Sequence, residues 1–380
     1  MPANLIYLDN AATTRVDPRV AETMSVWLTK QWGNPASLNH AFGQSSAKAV
    51  DKARAQVAQL IGAKTNEIIW TSGATESNNL ALKGIARAHR GQRRHIVTIA
   101  TEHKAVLDTV HWLEGEGFKA TVLAPQSNGL MDWAALEEAL REDTLLCSVM
   151  LVNNETGVIQ DIQAIGELCR KKNVVFHVDA AQATGKVDIN LQQLPVDLMS
   201  LTAHKTYGPQ GIGALFVRSD IALQIEAQLH GGGHERGLRS GTLPTHQIVG
   251  MGESYELAKA LMTSENTRIR IQRDRLLKHL MALDGVELNG DLEHRIPHNI
   301  NISIDNCALD LNTLTAVALS SASACLGGQS SHVINAMKGH SDTQSTLMRI
   351  SLGRFNTDTE IDFVADYLED QIRRCRQGKH

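Results

Sequence analysis

Two short stretches hold the residue types from which covalent chemistry can be built. Phe176-His177-Val178-Asp179 ends an apolar run in an acid, and Ala203-His204-Lys205 ends a later apolar run in a lysine. A lysine held in a partly dry place loses its proton readily and so becomes a Schiff-base nucleophile. An acid facing a pyridine nitrogen keeps that nitrogen protonated, which lets pyridoxal phosphate act as an electron sink. Singly, a lysine is usually a solvated surface group, and a strand-end aspartate is an N-cap or half of an ion pair. Both at the ends of apolar runs, they point to the crevice beyond the carboxyl ends of a parallel sheet.

Other residues fall into place around that pair. Ser72-Gly73-Ala74-Thr75 lies between an apolar run and a helical pattern, where a helix N-terminus offers N–H groups to a phosphate. Thr202 and His204 approach the same phosphate from the lysine turn. His103 follows another apolar run, and its imidazole suits stacking on a flat ring and moving protons near neutrality. Asn154 and Gln182 supply hydrogen bonds to a phenolic oxygen. Cys325, in Ser320-Ser321-Ala322-Ser323-Ala324-Cys325-Leu326-Gly327-Gly328, has small neighbours on its N-terminal side and glycines beyond Leu326. Cys147 instead lies among large apolar residues, as a structural thiol does; Cys325 reads as a nucleophile that travels.

The elements that must position these groups alternate. Strand-like runs at 67–71, 95–100, 120–123, 144–152, 174–178, 198–201 and 214–217 are interleaved with helical patterns from Thr75, at 105–113, 133–141 and 162–171. Such alternation predicts an α/β fold with a mainly parallel sheet flanked by helices. A long helical pattern over 248–283 precedes strands at 286–288, 299–304 and 349–352 and a closing helix at 359–374. These form a smaller α+β C-terminal domain. The expected division is a large domain over 15–260, with 1–14 plus 261–380 forming the small one.

Length and composition agree. The chain has 380 residues, 42% hydrophobic content and a formal charge of −4, enough for a large core and no case for nucleic acid or an acidic membrane. Five scattered cysteines without a CxxC indicate neither a disulfide framework nor a zinc site. The N-terminus does not read as a secretory signal, and no apolar run approaches the ~18–20 residues of a membrane span. A soluble, cytoplasmic protein is expected.

The ordered motifs resemble the NifS/IscS-type cysteine desulfurases, fold-type I pyridoxal-phosphate enzymes. They run from Tyr7-Leu8-Asp9-Asn10-Ala11-Ala12-Thr13-Thr14 through Thr101-Glu102-His103-Lys104, Asn153-Asn154-Glu155-Thr156-Gly157 and Ala203-His204-Lys205 to Arg349-Ile350-Ser351-Leu352-Gly353-Arg354. The resemblance implies that Lys205 holds the cofactor, that Asp179 pairs with the pyridine nitrogen and that His103 stacks on the ring. Ala74, Thr75, Asn154, Gln182, Thr202 and His204 complete the cofactor site. Arg349, with help from Asn34, would grip the substrate carboxylate, and an arginine fork suits that task. Cys325 would take the sulfur of L-cysteine as a persulfide, release L-alanine and serve an acceptor protein. Thr242 would reach the phosphate in a partner subunit, implying a homodimer. The candidate destinations are iron–sulfur cluster assembly, tRNA thiolation and DNA phosphorothioation. The sequence departs from the family at Ala322, where glycine is common, in a shorter loop after Cys325, and in a short tail. Another fold-type I activity, such as an aminotransferase or selenocysteine lyase, would not need Cys325; a sulfur-relay subunit would act mainly by binding.

Overall fold

The computed structural model describes residues 5–89, 91, 93–221, 224–321, 331–339 and 345–378. The chain enters as β1 (Ile6–Tyr7), followed by α1 (Pro18–Thr29) and α2 (Ala41–Leu60). There follow β2 (Ile68–Thr71), α3 (Ala74–Ala88), β3 (His95–Ile99), α4 (Lys104–Gly115), β4 (Lys119–Leu123) and α5 (Trp133–Ala139). Next come β5 (Thr144–Ser148), α6 (Ile162–Lys171), β6 (Val175–Asp179), β7 (Leu198–Thr202) and β8 (Gly213–Val217). The last third is α7 (Thr245–Met281), β9 (Val286–Leu288), β10 (Asn299–Ile304), β11 (Val317–Ala318), α8 (His332–Lys338), β12 (Thr346–Ser351) and α9 (Asp358–Arg376).

Among the described residues the main sheet has seven strands in the order β2-β8-β7-β6-β5-β3-β4. All of its pairings are parallel except those of β8, which runs antiparallel to β2 and β7. The short link from Thr202 to Gly213 explains the exception, because a parallel return needs a crossover of a dozen residues or more. Strands β3, β5, β7 and β8, and the edge strand β2, are buried at every position. They therefore read as continuous apolar runs without alternation, as strands covered on both faces do. Trp70, Phe176 and Phe216 pack in the core on one side; Leu82, Ile85 and Leu113 pack on the other.

A second, antiparallel sheet, β12-β10-β9, has its own core with Ile300, Ile302, Met348, Ile361 and Leu368. Leu8 joins this core, and β1 pairs with β11, so the N-terminal segment packs on this sheet. Helix α7 spans both: Ile248, Met251 and Tyr255 enter the main-sheet core, while Ile269, Leu276 and Leu280 enter the second. Closing helix α9 starts at a capping box in which Thr357 Oγ1 accepts from the Glu360 N–H at 3.2 Å and the Thr357 N–H donates to Glu360 Oε2 at 2.8 Å.

Helices α1 and α2 were not expected. The buried stripe of α2, at Gly43, Ser46, Val50, Ala53 and Val57, keeps helical spacing but uses small or polar residues, so its apolar signal is weak. Strand β5 stops at Ser148, earlier than the apolar run to 152, yet the Val149 and Leu151 N–H groups still donate to β6 carbonyls at His177 and Asp179.

Candidate active site

The carboxyl ends of β2, β3, β5, β6 and β7 open on one cleft of about 560 Å³, a volume suited to a small-molecule or cofactor site. Of the residues singled out in the sequence, Ala74, Thr75, His103, Asn154, Asp179, Gln182, Thr202, His204, Lys205 and Arg349 all line it.

Asp179, the last residue of β6, is 3% exposed. Its Oδ2 accepts from Asn78 Nδ2 at 2.7 Å and its Oδ1 from the Ala181 N–H at 2.9 Å. Those bonds orient the carboxylate without neutralising it. Lys205 lies on the turn that follows β7. Gln182 is fixed on both sides: its Nε2 donates to the Ala11 carbonyl at 2.8 Å, and its Oε1 accepts from buried Lys186 Nζ at 3.4 Å. Burial, aided by the charge of Lys205, pushes the Lys186 ammonium down to about 7.

His103 caps α4, its Nδ1 accepting from the Ala105 N–H at 3.1 Å. The proton of the neutral ring therefore sits on Nε2. Burial first, then the charges of Lys205 and His332, hold this imidazole below its ordinary range despite Asp179. Burial, with Lys205 and Lys186 adding to it, brings His204 down to about 4. Both rings are neutral at pH 7.

At the other end of the cleft, Gly73 turns the chain into α3, whose first N–H groups have no intrahelical partners. Strand β8 passes close beneath. A Cβ at Gly213 would lie 2.5 Å from the Leu201 carbonyl oxygen and 2.6 Å from Gly73 Cα, so only glycine permits this approach. Glu76 is turned back on the same helix end: it accepts from the Ser72 N–H at 2.7 Å and pairs with Arg239 at 2.8 Å.

Arg349, on β12, is 1% exposed. It donates through Nη2 to Asp9 Oδ1 at 2.7 Å and to Ser320 Oγ at 3.2 Å, and through Nη1 to the Asn154 carbonyl at 2.9 Å. Its Nε and the Asn154 Oδ1 are buried without hydrogen-bond partners among the described residues. Unpaired buried polar groups are costly, and a ligand in the cleft could satisfy them.

Asn34 and Thr242 do not line the cleft; both are exposed. Cys325 lies outside the described residues. Sequence reasoning missed Asn78, which orients Asp179, and Asp9, which meets Arg349. The Asn78 signal was its place four residues after Ala74, one turn along the helix that opens the phosphate end. Glu102 was also missed. It is fully buried, and burial followed by the charge of Asp179 raises its carboxyl well above the ordinary range. One oxygen accepts from the Met150 N–H, and the other has no partner among the described residues.

A lysine, a fixed carboxylate, a neutral imidazole, a helix N-terminus and unpartnered polar atoms in one cleft fit pyridoxal 5′-phosphate. Among the described residues no cluster of metal-ligating side chains occurs.

Comparison with known proteins agrees with this donor set. The aminotransferase class-V family model matches residues 6–364. Cysteine desulfurase IscS of Methylobacillus flagellatus is 56% identical over 377 residues, covering 98% of this chain and 93% of that protein. A solved NifS-like protein superimposes with a TM-score of 0.89 at 36% identity, covering 96% of this chain and 98% of its own. DndA from Streptomyces lividans superimposes with a TM-score of 0.78 at 38% identity, covering 91% and 99%.

Proposed function

The chain belongs to the class-V aminotransferase family, and from that premise we propose that it is a pyridoxal-phosphate-dependent L-cysteine desulfurase. The observation that carries this reading is the convergence of Lys205, Asp179, His103 and Arg349 on one cleft, in a chain 56% identical to a cysteine desulfurase. When bound, the cofactor supplies an electron sink conjugated to the substrate's α-carbon.

The protein's residues do the rest. Lys205 would hold the cofactor, and its neutral amine, once free, would move protons at the substrate's α-carbon. Asp179, held by Asn78 and the Ala181 N–H, would pair with the pyridine nitrogen. His103, held as the Nε2–H tautomer by the Ala105 N–H, would stack on the ring and offer one N–H for proton transfer. Ala74 and Thr75 at the start of α3, with Thr202 and His204, would receive the phosphate. Gln182 and Asn154 would hydrogen-bond the phenolic oxygen. The unpartnered Nε of Arg349 would receive the substrate carboxylate; Asn34, exposed and outside the cleft lining, has no such support in this chain alone.

The sulfur step balances without an outside oxidant. The Cys325 thiolate attacks the substrate sulfur, forming an S–S bond. The carbon–sulfur bond breaks with its electron pair kept by carbon, which takes up a proton. L-Alanine leaves and Cys325 holds the persulfide for an acceptor protein. Iron–sulfur assembly, tRNA thiolation and DNA phosphorothioation are the candidate destinations; the relatives named above include both an IscS and a DndA.

A homodimer is part of the proposal, with Thr242 reaching toward the phosphate of the partner's site. Its support is an exposed apolar patch in which Trp32 stacks on Phe42 at 5.3 Å beside Leu38, around the segment that holds Asn34. The division into 15–260 and 1–14 plus 261–380 is supported by separate cores under the two sheets. A cytoplasmic setting agrees with free thiols at Cys147, Cys169, Cys307 and Cys375. Among the described residues no helix is long and apolar enough to cross a membrane.

The test is alanine and sulfide formation from L-cysteine with a reductant present. The proposal expects Cys325→Ser to lose turnover by about 10²-fold or more, the scale of a lost nucleophile. Full turnover in that variant would exclude the persulfide route and favour another fold-type I activity.

A further inference from the structure

We propose that Asp9 sets how tightly the cleft holds an amino-acid carboxylate, by sharing Arg349 with it. The inference rests on the reading of Arg349 as the carboxylate-binding residue and adds a determinant outside the cofactor machinery.

Asp9 is anchored by its backbone. Its carbonyl accepts from the Ala12 N–H at 3.0 Å and from the Tyr7 hydroxyl at 3.1 Å, and the residue bridges to Ser351, two residues beyond Arg349 on β12. Its carboxylate then meets Arg349 Nη2 at 2.7 Å, with the guanidinium 1% exposed and the acid side chain 19% exposed. The Asn154 carbonyl and Ser320 Oγ bind the same guanidinium, so it has little freedom to turn. Its Nε is left as an unpartnered buried donor on a residue that lines the cleft.

A carboxylate arriving at Nε therefore meets a cation already paired with one carboxylate. Its attraction to Arg349 is offset by repulsion from Asp9, and in this dry setting both are stronger than in water. L-Cysteine and L-alanine carry the same carboxylate and α-amine, so whatever loosens the substrate loosens the product equally. Binding energy common to substrate, transition state and product does not speed chemistry. Asp9 is thus a positioning residue that keeps this common hold weak and speeds product departure.

The experiment uses the cofactor-loaded enzyme and L-alanine as the binding probe. Alanine affinity is measured by calorimetry, beside KM and kcat for L-cysteine, in wild type, Asp9→Asn, Asp9→Ser and Arg349→Gln. Both Asp9 replacements keep an oxygen that can accept from Nη2 and remove the charge; the serine variant serves if the asparagine variant misfolds. The expected result for Asp9→Asn is a fall in alanine Kd and cysteine KM by a common factor of roughly three to ten, the scale of a part-buried charge pair, with no rise in kcat. An unchanged or raised alanine Kd in a folded, cofactor-loaded Asp9 variant overturns the proposal. Arg349→Gln separates the two readings. If it binds alanine as tightly as wild type, the assignment of Arg349 fails and this inference with it. If it binds weakly while Asp9→Asn does not bind more tightly, only the role of Asp9 falls.

Discussion

Glu102 sits one residue before His103 with no exposed surface and no cation paired to it among the described residues. Its carboxyl is raised by burial and by Asp179, so the folded protein binds a proton here that the unfolded chain releases above its own carboxylate pKa. That contribution to stability is complete below about pH 4.3, the unfolded value, and is lost as pH rises through the folded value. Glu102→Gln therefore gains stability relative to wild type as pH rises, read as urea midpoints at pH 5 and pH 8.5; parallel profiles would contradict it. On the proposed role of Lys205, Lys205→Ala should abolish the visible absorbance of the bound cofactor. At this scale Lys205, Asp179 and His103 were legible because each follows an apolar run at a strand end. Asn78 and Asp9 were not, because neither residue type announces chemistry and each acts through a residue distant in sequence.

Elements place those residues, and their legibility followed how much apolar side chain they bury. Strands β9 and β10 and helix α6 fall on the spans expected from sequence, whereas α2 buries glycine, serine and alanine beside Val50 and Val57 and left little periodic trace. The antiparallel sense of β8 was equally hidden, since strand direction depends on the length of the connection and not on the strand's own residues. Helix α9 tests the local rules most simply. Removing the capping box with Thr357→Ala should cost about 1 kcal/mol, the usual value of such a cap, without changing alanine affinity. A loss of alanine binding equal to the loss of stability would show that α9 communicates with the cleft.

Across the whole molecule, the site lies where the two cores meet. Arg349 and Asp9 come with the antiparallel sheet, and Lys205 and Asp179 come with the parallel one. Lys186 is buried beside this junction and is held down to about 7 by burial. Between pH 7 and about 10.4 the unfolded chain binds a proton there that the folded chain has released, so this residue makes stability rise with pH across that window. Wild type should gain on Lys186→Met between pH 7 and 9.5 in chemical denaturation, and a constant gap would contradict it. Sequence revealed two sheets and their order along the chain. How they share one cleft depended on pairings such as Asp9 with Ser351, which span nearly the whole chain and leave no local pattern.

In the proposed reaction sulfur passes from L-cysteine to Cys325. The most direct test of that transfer is mass spectrometry of the cofactor-loaded enzyme after L-cysteine is added without reductant, with released alanine counted in the same sample. The expected product is a Cys325 peptide heavier by one sulfur atom, in proportion to the alanine formed in the first turnover. Alanine released while that peptide stays unmodified would contradict it.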